Sequence, residues 1–177
     1  MNTYNEFNEG NNAAKKMLFF LIPAILPLLL IFFIYANNPE SQFLHSVLFY
    51  TKSLPAIISS NSPTLSKVMD AYVKTAPFMA FVIFLRTHSG LKMKNSNTAS
   101  HTLLIYLLFS ILYAVIIYVF LFTDTELTES VKLLKLMSTN ELYLTFFYIS
   151  LYSGIYVFSY LYLWFCIGTY KLYRERW

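Results

Sequence analysis

This chain of 177 residues is 57% hydrophobic and 19% aromatic but only 12% charged, which excludes an ordinary water-soluble domain. Its net charge of +4 does not indicate a nucleic-acid partner, because the lysines and arginines lie in short segments between apolar runs. The single cysteine, Cys166, leaves no thiol pair for an internal disulfide or a redox site. We therefore expect one all-α domain, a polytopic membrane protein built as a helix bundle.

The first predicted membrane span is residues 17–36, after a polar segment, residues 1–16, that we expect to form a mobile cytoplasmic tail. Twenty residues without a charge reach about 30 Å as a helix, which matches the hydrocarbon core. Two prolines interrupt the run and no clear small-residue cleavage site follows it, so we expect a retained span rather than a signal peptide. Residues 37–61 then predict a periplasmic loop whose partly apolar middle lies along the membrane surface.

The second predicted span, residues 62–86, has membrane length but carries charges. Asp70 and Lys74 are four residues apart and therefore share one helix face, the arrangement of an intrahelical ion pair. Pro77 lacks an N–H group, which permits a kink. Because an ionisable group at depth costs roughly 2.5–3.5 kcal/mol, the pair either faces the bundle interior, a partner or water, or lies near the outer interface and snorkels.

The second half of the chain predicts two more spans, residues 102–122 and 142–170, after a basic cytoplasmic loop at residues 87–101. Between them, residues 123–141 form an acidic periplasmic loop. Three apolar residues of this loop have helical spacing, which fits either an amphipathic helix on the membrane or a solvated loop. They are Leu127, Val131 and Leu134.

Tyrosines recur every four residues along the fourth span, at positions 148, 152, 156 and 160. Such a row fits the core of the protein's own bundle or the interface belts, and it also fits a partner contact. A short basic tail, residues 171–177, ends the chain. The lysines and arginines concentrate at the amino end, around the central loop and in this tail, and an even number of crossings separates these segments. Both termini should therefore be cytoplasmic.

No sequence pattern in the chain predicts catalysis, a cofactor or a metal site, since metal-ligand pairs, nucleophile turns and glycine-rich phosphate loops are lacking. Recognition inside the membrane remains, where helices associate through close packing and hydrogen bonds worth roughly 0.5–2 kcal/mol each. Our candidate partner contacts lie on the second span, the acidic loop and the fourth span. They are Asp70, Tyr72, Lys74, Thr75, Pro77, Asp124, Glu126, Tyr148, Tyr152 and Tyr156.

The run KVMDAYVKTAPF at residues 67–78 resembles the second-span signature of the A-type immunity proteins against pore-forming colicins. Shorter stretches occur in that family's order along roughly residues 15–170. They are Leu54-Pro55, Ser59-Ser60, Glu126-Leu127-Thr128, Leu136-Met137-Ser138-Thr139-Asn140, Phe147-Tyr148-Ile149 and Leu151-Tyr152-Ser153.

The resemblance implies an inner-membrane protein with four crossings and both ends in the cytoplasm. Such a protein would protect a colicin-producing bacterium without catalysis, by binding the toxin's pore-forming domain, chiefly its hydrophobic helical hairpin, within the lipid. Neither the oligomeric state nor the colicin recognised follows from the sequence. The alternatives from other functional classes are a holin-like membrane permeabiliser and an accessory subunit of a transporter.

Overall fold

The computed structural model describes residues 2–88 and 99–174 of the chain. Its elements in chain order are α1 (Asn2–Asn37), α2 (Gln42–Thr51), β1 (Ile57–Ile58), α3 (Pro63–Val73), α4 (Ala76–Thr87), α5 (Ala99–Leu121), β2 (Thr125–Glu126), α6 (Lys132–Ser138) and α7 (Glu141–Arg174). Among the described residues, four helical segments have the length and composition to cross a membrane. They are Ala14–Asn37, Pro63–Thr87, Leu103–Leu121 and Glu141–Lys171. The predicted all-α class with four apolar helices is thus confirmed.

The first helix begins at Asn2, so it extends through the residues that the sequence analysis assigned to a mobile tail. Nothing in residues 2–16 forces a break in the helix, because the segment holds no proline and only one glycine, Gly10. Polarity predicts exposure to water, but it does not by itself end a helix. The described backbone therefore joins the polar segment to the first apolar run.

The second apolar segment is divided into α3 and α4 by a break at Lys74 and Thr75. Across it, the Thr75 N–H group donates to the Tyr72 carbonyl at 2.9 Å, a tighter turn than the α-helix makes. Pro77 has no N–H group to offer the Val73 carbonyl, so the regular ladder fails at this point. The helix is therefore interrupted two to three residues before Pro77, close to the position where the proline permits a kink.

Helix α7 is the centre of the bundle, and α1, α3, α4, α5 and α6 all pack against it. The tyrosine row of α7 is buried along its length. These side chains therefore lie in the core of the protein's own bundle, one of the arrangements that fit the row. Helix α5 packs on α7 through aromatic pairs, among them Tyr113 on Tyr162 with ring centroids 4.5 Å apart. Most of the remaining surface of α5 is exposed, which suits a helix facing lipid.

The two loops at one end of the bundle are joined by a short parallel pairing that the sequence did not predict. Strand β1 pairs with β2, with Ile57 opposite Thr125 and Ile58 opposite Glu126. The Thr125 N–H donates to the Ala56 carbonyl at 3.1 Å, and the Leu127 N–H donates to the Ile58 carbonyl at 2.8 Å. We call residues 56–60 and 124–128 together the strand clasp.

Helices α2 and α6 lie in the same two loops as the strand clasp. Helix α2 lies within residues 37–61, where the sequence predicts a segment along the membrane surface, and its first turn is capped by the Ser41 hydroxyl. For the acidic loop, where a helix and a solvated loop were both open, the structure has the short helix α6, which begins at Lys132 and so includes only Leu134 of the three spaced apolar residues. Leu127 is instead buried within the strand clasp, so its contacts are tertiary rather than helical.

Candidate functional site

The buried carboxylate of Asp70 ties α3 to the strand clasp. Asp70 is 1% exposed, it forms an ion pair with the Lys74 ammonium, and its Oδ1 accepts the Ile57 N–H at 3.3 Å. The predicted pair between Asp70 and Lys74 is thus confirmed. Ile57 is also bound through its carbonyl, which accepts the Tyr148 hydroxyl at 2.6 Å.

The geometry at Ile57 follows from the alternation of a parallel strand. Because the carbonyls of Ala56 and Ile58 face β2, the peptide groups of Ile57 point the opposite way, toward the bundle. Buried peptide groups need partners, since leaving one unpaired costs about 1–3 kcal/mol. Asp70 from α3 and Tyr148 from α7 supply them, which fixes the clasp on the helices.

The two acidic candidates of the second loop bind the backbone of the first loop. The Asp124 carboxylate accepts the Ala56 N–H at 2.8 Å, and the Glu126 carboxylate accepts the Ser60 N–H at 2.9 Å. Thr128 adds its own N–H at 3.2 Å and its hydroxyl at 2.5 Å to the same Glu126 oxygen. Burial acts to raise the pKa of Glu126, but these hydrogen bonds outweigh it and hold the pKa below its usual value of 4.5.

Glu126→Gln is expected to change how stability depends on pH. Because the folded pKa of Glu126 lies below 4.5, ionised Glu126 stabilises the fold above that pH, and this stabilisation is lost as pH falls through the folded pKa. The variant should therefore be less stable than the unaltered protein near neutral pH, and the gap should narrow under acid conditions. Melting temperatures of the detergent-solubilised protein at several pH values measure this. The exposed acid Glu129, changed to Gln, is the control, and a gap independent of pH would contradict the assignment.

At the break between α3 and α4, Tyr72 and Tyr152 stack with centroids 5.2 Å apart and an interplanar angle of 12°. The Tyr72 hydroxyl donates to the Ala24 carbonyl of α1 at 2.8 Å. Thr75 is exposed, and its hydroxyl donates to the Tyr72 carbonyl at 2.7 Å. Pro77 is half-buried in the first turn of α4. The structure thus brings four of the predicted residues together in one polar neighbourhood.

Tyr156 lies apart from this neighbourhood, in another layer of the bundle. Its hydroxyl donates to the Met17 carbonyl of α1 at 3.3 Å. One turn further along α7, the Tyr160 hydroxyl lies 2.8 Å from the Thr87 hydroxyl. The tyrosine row therefore crosslinks α7 to α1, to α4 and to the strand clasp at successive levels.

Burial divides the ten predicted contact residues into two groups. Four are inside the bundle and have the chain's own groups around them: Asp70, Tyr148, Tyr152 and Tyr156. The others are exposed or partly exposed: Tyr72, Lys74, Thr75, Pro77, Asp124 and Glu126. Only the exposed and partly exposed residues are accessible from outside the bundle. The four buried residues support the surface by packing and hydrogen bonding inside it.

Several groups that build this region were missed by the sequence analysis as contact residues. The Ser66 hydroxyl accepts the Ser59 N–H at 3.1 Å, and the Asn61 side chain donates to the Ser138 carbonyl at 2.9 Å. Serines and backbone carbonyls carry no pattern that marks them, so no sequence signal would have found them. Among the residues that the structure describes, no cluster of histidine, cysteine or acidic side chains is placed to hold a metal ion.

The family model described as colicin immunity protein matches residues 40–177, which include the strand clasp, α3, α4 and α7. The chain belongs to the colicin immunity protein family. It is 36% identical over 176 residues to the colicin-A immunity protein of Citrobacter freundii, covering 99% of both chains. It is 31% identical over 153 residues to the colicin-B immunity protein of Escherichia coli, covering 86% of this chain and 87% of that protein.

A third relative is the colicin-N immunity protein of Escherichia coli, which is 41% identical over 106 residues. That match covers 59% of this chain and 81% of the relative. No solved structure matches the chain. The likeness to the colicin-A relative extends over nearly the whole chain, so it includes the first helix, all of which precedes the segment matched by the family model.

Proposed function

We propose that this protein protects a colicin-producing bacterium by binding the pore-forming domain of a cognate colicin in the inner membrane. The observation that carries the proposal is the 36% identity to an immunity protein over 99% of both chains. Four helices of membrane length in one small bundle support action inside the lipid. The protein would act by binding alone, without catalysis.

In the proposed topology, both termini are cytoplasmic and the strand clasp is periplasmic. The concentration of lysines and arginines at the amino end, around the central loop and in the carboxyl tail supports this orientation. The clasp supports it as well, because its two halves can pair only if they emerge on the same side of the membrane. Two spans separate the halves along the chain, which meets that condition.

Protection would follow from tighter binding to the closed channel than to the open one, because a ligand shifts an equilibrium only by its difference in affinity between the two states. The partner would be the hydrophobic helical hairpin of the pore-forming domain, which reaches the immunity protein laterally through the lipid. Of the candidate residues around the break in the second apolar segment, one is exposed, Thr75, and three are partly exposed: Tyr72, Lys74 and Pro77. The buried Asp70, Tyr148, Tyr152 and Tyr156 would hold this surface in shape.

Cells that express the protein are expected to survive one or a few pore-forming colicins that kill control cells. Survival and potassium loss, measured across a panel of such toxins, test this, and a colicin that kills by nuclease action is the control that should still kill. Death at the same rate as control cells across the panel, with the protein verified in the membrane, would refute the proposal. A holin-like permeabiliser would instead collapse the membrane potential before any toxin is added.

A further inference from the structure

The break between α3 and α4 lies deep in a membrane-length segment. The eleven residues Pro63–Val73 precede it, so the break is roughly 16 Å along the helix, about half of a hydrocarbon core of roughly 30 Å. Thr75, at the break, is exposed, whereas Val73 and Ala76 on either side of it are fully buried. Lipid offers no hydrogen bonds, so a polar group at this depth is best matched by protein. Thr75 is therefore a surface position beside which a partner helix can supply polar groups.

A buried hydroxyl beside the break also lacks a partner. Tyr152 is 0% exposed, and its hydroxyl makes no hydrogen bond of ordinary length within the described part of the chain. The polar side chains nearest to it are those of Thr75 and of Tyr72, whose ring stacks on the Tyr152 ring. The hydroxyls of Tyr148 and Tyr156, one turn away on either side along α7, both donate to backbone carbonyls. Tyr152 is thus the one of these three with hydrogen-bonding capacity to spare, and it is aimed at the break.

The break itself offers an acceptor. Pro77 cannot donate to the Val73 carbonyl, which is left without its helical partner. Broken helices in membrane proteins bind ligands through such ends, where backbone groups remain available. A side chain that both donates and accepts could therefore bond Val73 and Tyr152 together. Hydroxyl and carboxamide groups have this double capacity, whereas a charged group would find the nearest opposite charges, Asp70 and Lys74, already paired with each other.

Resting on the proposed function, we propose that this break is a polar docking site for a transmembrane helix of the toxin's pore-forming domain. The helix places a hydroxyl or carboxamide side chain beside Thr75, where it bonds the Tyr152 hydroxyl and the Val73 carbonyl. Val73 and Tyr152 are both fully buried, whereas Thr75 is exposed and adjoins Tyr152, so binding requires the Thr75 side chain to rotate away.

Tyr152→Phe tests the site, because it removes the hydroxyl and keeps the shape of the ring. We expect it to lower the toxin concentration that halves survival by about 3- to 15-fold, the effect of one interhelical hydrogen bond. Ser110→Ala is the control, since that hydroxyl bonds back to the Tyr106 carbonyl of its own helix. It should protect like the unaltered protein.

Stability separates a docking role from a structural one at Tyr152. Removing a buried hydroxyl without a partner should leave the melting temperature in detergent unchanged or raise it, so Tyr152→Phe should protect less while folding at least as well. A variant that protects less only in proportion to a lower membrane abundance would overturn the proposal. If the unaltered protein protects and Tyr152→Phe protects equally well, the docking site is wrong and the immunity function stands. If the unaltered protein does not protect, the proposed function itself fails.

A photo-crosslinking residue at Phe78, which is 67% exposed and one turn after Thr75, identifies what covers the break. In cells treated with a colicin that the protein neutralises, we expect a crosslink to the pore-forming domain. Ile111 on α5, 64% exposed, is the control position and should give little of it. Crosslinks from position 78 only to lipid or only to a second copy of this chain, with protection intact, would overturn the proposal.

Discussion

Replacing Asp70 with alanine is expected to destabilise the protein by about 3–5 kcal/mol, because it leaves the Lys74 ammonium without its partner inside a membrane-length segment. The change also removes the acceptor of the Ile57 N–H, so α3 loses its link to the strand clasp. Thermal unfolding in detergent and the amount of protein in the membrane measure the effect. Protection should fall with abundance, and it must therefore be expressed per molecule in the membrane.

The double variant Asp70→Leu with Lys74→Met separates two quantities: the destabilisation caused by leaving Lys74 unpaired, and the net contribution of the intact ion pair to stability. Replacing a whole buried ion pair with apolar residues of similar size is often neutral or stabilising, so the double variant should recover much of the lost stability. The remaining deficit reports the bond to Ile57. Glu129→Ala, which changes an exposed acid, is the matched control. An Asp70→Ala protein as stable as the original would contradict the structural role given to this carboxylate.

Tyr148→Ala is expected to lower the free energy of unfolding by about 3–5 kcal/mol, since it removes a large, fully buried side chain and leaves a cavity in the centre of the bundle. Tyr148→Phe keeps the ring but leaves the Ile57 carbonyl without its donor, which should cost about 1–3 kcal/mol. Unfolding in detergent again gives the difference. The two variants together separate the packing of the ring from the hydrogen bond of its hydroxyl.

Tyr143 provides the control on the same helix, because it lies near the start of α7 and is 53% exposed. Tyr143→Ala should change stability by less than about 0.5 kcal/mol. If Tyr148→Phe were as stable as the original while Tyr148→Ala were not, the hydroxyl would have no role in holding the clasp. Equal effects of Tyr143→Ala and Tyr148→Ala would contradict the burial on which the prediction rests.

These two residues show why the outward surface and the interior must be considered together. Asp70 and Tyr148 were candidates for toxin contact, and both bind backbone groups of one residue of the chain itself, Ile57. Their substitution would reduce protection by loosening the clasp and the segment that carries the break. Thr75 and Tyr152 differ in this respect, because one is exposed and the hydroxyl of the other is unused in the described part of the chain. Only for such groups can lost protection be separated from lost structure.

The features that the sequence alone determined are those with a local cause. A membrane span needs about twenty consecutive apolar residues, so the four long apolar helices follow from composition along the chain. The pair of Asp70 and Lys74 follows from a spacing of four on one helix, and the break between α3 and α4 follows from the missing N–H of Pro77. Each depends on neighbours within about one or two helical turns.

Tertiary structure alone decided where the remaining polar groups find their partners. The strand clasp joins Ile57 to Thr125 across two spans, and every peptide unit carries the same N–H and C=O groups, so no residue pattern marks the pairing. Leu127 has helical spacing in the sequence, yet it is buried within the clasp, where its N–H donates to the carbonyl of the distant Ile58. The central place of α7 likewise arises from packing, since lipid is as apolar as a leucine side chain and does not dictate which apolar helix is surrounded by the others.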